Sequence, residues 1–226
     1  LIKKFKPLIK WNYGPTTESN DATKIFFEYL QQSKKRIYGI THPLSTIQQN
    51  NFNVKEWGTF LIDLSDTKEN IFSKIDKKSG RKNIERSIER GVTIEEISNN
   101  NIMEYLQLYN ENKIKRGQEE TSIEVMENFW KILKPVGMSG YLARKNGKCM
   151  GGMLFSYFNG YIQEWGVARS VEDHKNKLYS QDLIKWKIIE WGIQHKMNWY
   201  DFSGFNPHPE TKKEEGILRY KKKWGG

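Results

Sequence analysis

The last eleven residues of the chain, GILRYKKKWGG, combine four cations with aromatic side chains, a combination suited to act on an anionic or electrophilic group. Tyr220 and Trp224 flank three consecutive lysines, Lys221–Lys223. Three interpretations are open: a solvated basic tail, a nucleic-acid-binding segment, or a strand that carries a catalytic lysine beside a substrate groove. Alternating lysines also protect an edge strand from aggregation, so the segment alone does not decide among them.

Two carboxylates are candidates for a proton acceptor. Glu164 lies between Gln163 and Trp165 in a β-prone run, so its side chain faces either a cleft or an open sheet face. Asp201, in YDFSG, either accepts a proton or anchors the backbone through hydrogen bonds. A general base has to lie within hydrogen-bond reach of the proton that it removes, and the sequence leaves that geometry open.

A row of cations follows one face of the helix predicted in GRKNIERSIERGV. Lys82, Arg86 and Arg90 recur at four-residue spacing, where like charges slightly destabilise an isolated helix. An anionic partner would explain this row. However, Glu85 and Glu89 on the adjacent row neutralise it, and a solvated helix face is the favoured interpretation.

Other catalytic chemistries find no support in the sequence. The four histidines, at positions 42, 174, 195 and 208, lack metal-ligand spacing, and there is no P-loop, dinucleotide fingerprint or Ser-His-Asp set. The single cysteine, Cys149, lies in an apolar stretch without a neighbouring base and is interpreted as core filler. One cysteine forms no disulfide framework, which fits the predicted location, a reducing cytoplasm.

The composition indicates a globular protein with a positive field. The chain has 226 residues, 13% of them aromatic, and a net charge of +10. Such a charge attracts nucleic acid, diphosphate-bearing substrates or an anionic membrane surface without choosing among them. No apolar run approaches the roughly 20 residues that cross a bilayer, which leaves peripheral membrane association open. Because the chain opens on Leu1 and ends in Gly-Gly, we expect a fragment trimmed at both ends.

The clearest structural signal is a three-stranded antiparallel meander over residues 138–168. Asn146-Gly147 and Asn159-Gly160 each separate two β-prone runs. Asn-Gly favours type I′ turns, whose twist matches that of hairpin strands. The two turns therefore predict three sequential strands.

Further elements surround the meander. Upstream, we expect a strand in TFLIDLS, helices in DTKENIFSKI and GRKNIERSIERG, a strand from Val92, and helices over 102–116 and 122–134. Downstream, a polar loop over 169–177 leads to a helix in LYSQDLIKWKIIEWGIQHK, for which Ser180 or Asp182 is the expected N-cap. A strand in NWYDFSG, a helical turn over 214–221 and a last strand at Trp224 complete this series. Residues 1–57 contain a helix at 21–35, a strand at 36–40 and a linker rich in Asn and Gln.

Three segments resemble parts of the second GNAT-like domain of FemAB-type peptidyltransferases and occur in the same order along the chain. They are described here from the C-terminal segment backwards. GILRYKKKWGG resembles the family ending G-I-x-x-F-K-x-x-F-G-G, with Tyr220 and Trp224 in place of Phe. LYSQDLIKWKIIEWGIQHKMNWYDFSG resembles the crossover helix and the YDFGG strand of the family. In the family, a T…DLS strand is followed by the pattern R-x-N-I-x-x-(A/S)-x-x-x-G-V. The residues of this chain that match the pattern are Arg81, Asn83, Ile84, Ser87, Gly91 and Val92.

The resemblance implies an α+β, GNAT-like acyltransferase fold, with a mixed, mostly antiparallel sheet flanked by helices. It predicts that this domain covers residues 58–226. Residues 1–57, including YGPTTE and RIYGITHP, then form the remnant of a first GNAT-like domain plus a linker. The chain departs from the family in lacking most of that first domain and the long coiled-coil arm of some members.

The resemblance also implies a reaction and its residues. Family members transfer an aminoacyl group from aminoacyl-tRNA to an amine of a peptidoglycan precursor, through a tetrahedral oxyanion that a fixed cation stabilises. Lys221 is implied to contact that intermediate or the tRNA end, and Tyr220 to shape the channel for the acylated adenosine. Arg116 is implied to bind the diphosphate of the precursor, unless it only interacts with the helix dipole. The other predicted site residues are Glu164 and Asp201 as catalytic groups, and Arg81, Lys82 and Arg86 as substrate-binding cations.

The remaining alternatives differ in the acyl donor that the protein uses. GNAT enzymes that use acetyl-CoA bind its pyrophosphate through a glycine-containing loop before the crossover helix. The corresponding segment here, ARSVEDHKNKLYSQD, contains no glycine. We therefore predict aminoacyl-tRNA as donor, an envelope or peptidoglycan precursor as acceptor, and no separate cofactor. The alternatives are an acetyl-CoA or other acyl-CoA N-acyltransferase and a non-catalytic RNA- or polyanion-binding module.

Overall fold

The structure, a computed structural model, describes residues 8–11, 14, 19–33, 35–43 and 52–226. Most of the YGPTTE segment and of the Asn- and Gln-rich linker lies outside these described residues. The chain divides into two compact units, one up to Gly58 and one over Thr59–Gly226. The interpretation of residues 1–57 as the remnant of a first domain stays a prediction.

The first unit contains a two-stranded parallel sheet and one helix. Strand β1 (Leu8–Trp11) pairs with β2 (Arg36–Gly39), and helix α1 (Asn20–Gln32) connects them. The Trp11 ring lies edge-on to Phe26, 5.7 Å between ring centroids. The helix and the strand predicted here are present, with ends that shift by at most three residues.

The second unit is built on a six-stranded sheet in the order β3-β8-β7-β6-β5-β4. The pairs β4–β5, β5–β6 and β6–β7 are antiparallel, whereas the pair β7–β8 is parallel. This mixed, mostly antiparallel sheet confirms the predicted fold class. The strands are β3 (Gly58–Asp63), β4 (Thr93–Glu96), β5 (Met138–Lys145), β6 (Lys148–Phe158), β7 (Tyr161–Arg169) and β8 (Trp199–Phe205).

The predicted meander is confirmed in β5, β6 and β7. Both Asn-Gly turns have the left-handed backbone that a type I′ turn requires: φ is 50° at Asn146, 77° at Gly147, 45° at Asn159 and 78° at Gly160. The two turns therefore connect three sequential antiparallel strands.

Seven α-helices and one π-helical turn flank the sheet in the second unit. Side chains alternate across a strand, so Met153 and Phe155 of β6 enter one apolar cluster and Leu154 enters another on the opposite face. The helices are α2 (Lys68–Lys74), the π-turn (Lys77–Arg81), α3 (Lys82–Glu89), α4 (Ile102–Lys115), α5 (Ile123–Gly137), α6 (Val171–Lys175), α7 (Ser180–Gln194) and α8 (Lys212–Lys222).

The largest difference from the sequence prediction concerns the last segment of the chain. No strand forms at Trp224, because GILRYKKKWGG belongs to α8 and the turn after it. A capping box starts α8: Thr211 accepts from the backbone of Glu214, and the Glu214 side chain accepts from the backbone of Thr211. Trp224 is 1% exposed in the core beyond the helix. The helical turn predicted over 214–221 is confirmed within α8, whereas the strand predicted at Trp224 was wrong.

Smaller differences occur at helix ends. The predicted loop at 169–177 contains the short helix α6, and α5 continues through Pro135 to Gly137 instead of ending at Lys134. The expected N-cap at Ser180 or Asp182 was wrong, because both residues lie inside the first turn of α7. The residue before this helix is Tyr179, with a left-handed backbone (φ 57°) and no capping side-chain bond.

Candidate active site

A fork opens in the sheet where β7 and β8 stop pairing. Their parallel register covers only Tyr161–Gln163 opposite Trp199–Asp201, although both strands continue further. At Ser203 the backbone of β8 is left-handed, with φ of 62°. We define the fork as the separated segments 164–169 of β7 and 202–205 of β8. Such a gap beside unpaired strand backbone is a natural entry point for an extended substrate.

Glu164 lies at the closed end of the fork and is held by two buried side chains. Its carboxylate forms an ion pair with Lys185 of α7, and both side chains are almost completely buried. The Tyr200 hydroxyl donates to Glu164 Oε1 at 2.7 Å. Burial, followed by the charge of Glu164, raises the pKa of Tyr200 well above its ordinary value, so this hydroxyl remains a donor to Glu164.

Lys221 approaches the fork from α8. Its Nζ donates to the carbonyls of Ser203 and Gly204, each at 2.8 Å. An ammonium group has three N–H donors, and these two carbonyls are its only protein acceptors among the described residues, so one donor remains for a ligand. Burial lowers the pKa of Lys221 to about 8, while the nearby charge of Glu164 acts in the opposite direction. The amine is thus fixed in place beside the fork.

Asp201 has a different position, beneath the fork in the sheet. The carboxylate accepts from the Tyr161 hydroxyl at 2.6 Å and from the Ser203 backbone N–H at 2.7 Å. Thr59 of β3 donates to it as well. These bonds tie three strands together and fix the left-handed turn at Ser203, which presents its carbonyl to Lys221.

A second cluster of buried polar side chains surrounds Asp182 in the first turn of α7. Its carboxylate accepts from Lys223 Nζ at 2.6 Å, from the Tyr220 hydroxyl at 3.0 Å and from Asn83 Nδ2 at 2.9 Å. Burial lowers the pKa of Lys223, and the charge of Asp182 opposes that shift. Lys223 is therefore not a surface lysine: its side chain is 8% exposed.

This cluster forms the floor of a cleft of about 360 Å³ at the start of α7. The cationic side chains that line it are Arg169, Lys177 and Lys223, together with His174. Tyr179 and Tyr220 add aromatic surface. Cationic and aromatic side chains can contact the phosphates and bases of a nucleotide, but Arg169 and Lys223 are already paired with Asp173 and Asp182.

The first turn of α7 faces an internal carboxylate. Asp173 is fully buried and accepts from the Ser180 backbone N–H at 3.0 Å. The other oxygen of Asp173 forms an ion pair with Arg169 Nε. A fixed negative charge therefore already occupies the position where the positive end of this helix dipole would attract an anion.

The other predicted site residues lie on helix surfaces. Arg116 is exposed at the end of α4 and donates to the Asn112 carbonyl at 3.0 Å; it does not line the cleft. Lys82 is exposed and forms an ion pair with Glu85 at 2.8 Å. Arg86 is half-buried and contacts the cleft residue Asn83. Arg81 lies in the π-turn, where its Nε is buried without a hydrogen-bond partner among the described residues.

Several site residues were missed from the sequence. Asp182 and Lys185 are charged residues in a segment that is otherwise buried, whereas Asp173 is buried between exposed neighbours in α6. Tyr200 has the sequence pattern of an ordinary core aromatic. The one available signal was the presence of Asp182 and Lys185 within the apolar stripe of LYSQDLIKWKIIEWG, because charged residues are rarely buried unless they are paired. Cys149 fits the core-filler interpretation: burial raises the pKa of its thiol to about 11.

Metal and membrane sites find no support among the described residues. No group of three or more His, Cys, Asp or Glu side chains in this part of the chain is arranged to hold a metal ion. None of the helices in the described ranges combines the length and apolar character that crossing a bilayer requires.

Comparison with solved structures shows the fold. The chain is similar to FemX, with 12% sequence identity and a TM-score of 0.73 over 100% of this chain and 79% of FemX. It is similar to L-PGS from Bacillus licheniformis, with 11% identity and a TM-score of 0.52 over 94% and 68% of the two chains. A conserved protein of unknown function from Bacteroides thetaiotaomicron has 14% identity and a TM-score of 0.52 over 74% and 54%.

No protein-family model matches the chain, and no curated protein matches its sequence. At identities this low the structural similarity concerns the fold. The chain has a FemX-like fold, in agreement with the fold that the resemblance of the sequence motifs implied.

Proposed function

We propose that the chain is an acyltransferase of the FemX type, which transfers an aminoacyl group from aminoacyl-tRNA to an amine of a peptidoglycan or cell-envelope precursor. The observation that carries this proposal is the position of Lys221 beside the fork. Its ammonium group is fixed by the carbonyls of Ser203 and Gly204 and keeps one N–H donor for a substrate oxygen.

The proposed reaction is aminolysis of an ester. The acceptor amine forms a bond to the ester carbonyl carbon, the bond from that carbon to the ribose oxygen of the tRNA breaks, and one amine proton ends on the released ribose hydroxyl. Negative charge develops on the carbonyl oxygen in the tetrahedral intermediate. A preorganised donor at that oxygen lowers the barrier, and we assign this role to Lys221.

The two candidate carboxylates receive different roles. Among the nearby charges, that of Glu164 raises the pKa of Lys221 most. Glu164 therefore favours the protonated amine that the mechanism needs. Asp201 has three donors on its two oxygens, so we assign it to anchoring the strand that positions Lys221. Arg116 keeps its proposed role in binding the diphosphate of the acceptor, since its exposed guanidinium retains donors beyond the one bond to Asn112.

The cleft at the start of α7 supports tRNA as the donor. Tyr220 lines this cleft and is followed in α8 by Lys221, and we assign the cleft to the terminal nucleotide of the donor. Lys177 and His174 are available for phosphates at the cleft wall. The first turn of α7, by contrast, already binds the carboxylate of Asp173, which favours tRNA over acyl-CoA, the alternative donor on this fold.

A donor screen with the full chain tests the proposal. Charged tRNAs and acyl-CoAs are offered with an amine-bearing envelope precursor, and transfer is followed by mass spectrometry. We expect product from aminoacyl-tRNA, a loss of at least a hundredfold in Lys221→Met, as for removal of one oxyanion donor, and no loss in Lys222→Met. Lys222 is the matched control because it is exposed in the same helix.

Three results would contradict this assignment. If product forms from acyl-CoA and not from aminoacyl-tRNA, the donor is acyl-CoA. Full activity in Lys221→Met would remove the catalytic role of this lysine. Salt-sensitive RNA binding without transfer from any donor would favour the non-catalytic binding module, because phosphate contacts alone give such salt dependence.

A further inference from the structure

Asp173 is a buried carboxylate that the proposed reaction does not use. We propose that it acts as an internal anion at the start of α7, which excludes compact diphosphates such as that of CoA and thereby determines donor specificity. The inference deepens the proposed function, on which it rests for the identity of the site, but it concerns binding and is tested without aminoacyl transfer.

The carboxylate satisfies the two groups that would otherwise bind a phosphate. Asp173 Oδ1 accepts from the Ser180 N–H at 3.0 Å, and Oδ2 is paired with Arg169. The start of a long helix binds anions through its free N–H groups and its dipole, and Arg binds phosphate through its planar fork. Here the Ser180 N–H and the Arg169 Nε are both bonded to one side chain with no solvent exposure.

The same place retains a polar group without a partner. Gln181, the second residue of α7, lines the cleft and is only 8% exposed, and its Oε1 has no hydrogen-bond partner among the described residues. Its Nε2 is used by the Ala168 carbonyl at 2.7 Å. An unpartnered buried amide oxygen beside this helix start indicates that a ligand in the cleft presents a polar donor here.

The physical consequence is a division of the cleft. An incoming diphosphate would meet the carboxylate of Asp173 and would find the Ser180 N–H and the Arg169 Nε already bonded to it. A nucleic-acid strand can instead place its phosphates on Lys177 and His174 at the wall of the cleft. The arrangement therefore rejects a donor that depends on the helix start and admits one that depends on side chains.

A gain-of-function experiment tests this inference. Binding of CoA and, separately, of inorganic pyrophosphate is measured by calorimetry at low salt for wild type, Asp173→Ala and Asp173→Asn. We expect Asp173→Ala to bind both probes about tenfold or more tightly than wild type, since one freed charge-assisted hydrogen bond contributes at least that factor. Asp173→Asn still caps Ser180 but releases Arg169, so a smaller gain of at least threefold is expected.

Glu172→Gln is the matched control. It removes the same formal charge one residue away, from a side chain that is 50% exposed and only distantly paired with Lys148. Its affinity for both probes should equal that of wild type. If Glu172→Gln gains as much affinity for the probes as Asp173→Ala, the effect is due to net charge alone and the inference is overturned.

The remaining outcomes also decide whether the inference about Asp173 holds. If Asp173→Ala does not fold, as judged by its thermal melt, a folded Asp173→Asn without any gain overturns the inference. Tight CoA binding by wild type that the substitutions leave unchanged overturns it as well. A gain in diphosphate affinity by a chain that transfers no aminoacyl group would refute the proposed function and leave this inference standing.

Discussion

Lys185 and Glu164 form an ion pair in the interior of the second unit, with side chains only 4% and 6% exposed. Removal of one partner leaves an uncompensated buried charge, which typically costs about 3–5 kcal/mol. We expect Lys185→Met to lower the free energy of unfolding by this amount, measured by urea denaturation. The double variant Lys185→Met/Glu164→Leu should recover most of the loss, because it leaves no buried charge.

Lys68 and Glu190 provide the control pair, since the Lys68 side chain is 50% exposed. Lys68→Met should cost less than about 1 kcal/mol, as exposed pairs do. An equal loss in the two single variants would show that burial does not determine the energy of the Lys185 pair.

The stability contribution of Lys221 should depend on pH. Its pKa of about 8 in the folded state lies below the value of about 10.4 for an unperturbed lysine. Between these values the unfolded chain binds more protons than the folded one, so the free energy of unfolding rises with pH. From about pH 8 to pH 10, wild type should gain stability relative to Lys221→Met in urea denaturation, and a difference that falls or stays constant would contradict the lowered pKa.

The transfer rate should depend on the same titration. If the ammonium form of Lys221 stabilises the oxyanion, the ratio of the wild-type rate to the Lys221→Met rate falls as the pH rises through about 8. The ratio cancels the titration of the acceptor amine, which is common to both proteins. A ratio that stays constant from pH 7 to pH 9 would exclude a charged Lys221 from the chemical step.

Asp201 should behave as a structural residue. Asp201→Ala leaves the Tyr161 hydroxyl and the Ser203 N–H without the acceptor that they use, and we expect a loss of about 3 kcal/mol in stability. The transfer rate per folded molecule should change less than threefold in Asp201→Asn, whose amide oxygen still accepts from the Ser203 N–H and holds the turn that positions Lys221. Asp63→Ala is the control, because this exposed carboxylate bonds only to Ser65. A large rate loss in a folded Asp201→Asn variant would restore its assignment as a base.

Gly166 is required by the irregular geometry of β7 beside the fork. Its φ is 45°, and an added Cβ would overlap the Tyr105 hydroxyl, which donates to the Gly166 carbonyl at 2.6 Å. Gly166→Ala should therefore lose about 1–3 kcal/mol beyond the backbone strain. Gly147→Ala measures that strain alone, since φ is 77° there and no atom lies within 4 Å. Equal thermal shifts in the two variants would contradict the close approach of Tyr105.

The meander and the crossover helix could be predicted from the sequence because local rules determine them. Asn-Gly pairs force a left-handed turn whatever surrounds them, and the apolar residues of α7 repeat at helical spacing. The ending GILRYKKKWGG shows the limit of such rules. Its alternation resembled a strand, whereas the Thr211–Glu214 capping box, three residues apart, starts a helix.

The sequence by itself determined the meander, the crossover helix and the fold class, since these depend on local spacing, and the resemblance of its last segment singled out Lys221 as the catalytic candidate. The tertiary structure alone decided which charges meet. Lys185 reaches Glu164 from 21 residues away, and Lys223 reaches Asp182 from 41 residues away. Pairing of buried charges depends on the packing of α7 and α8 against the sheet, and nothing in the spacing of these residues along the chain encodes that packing.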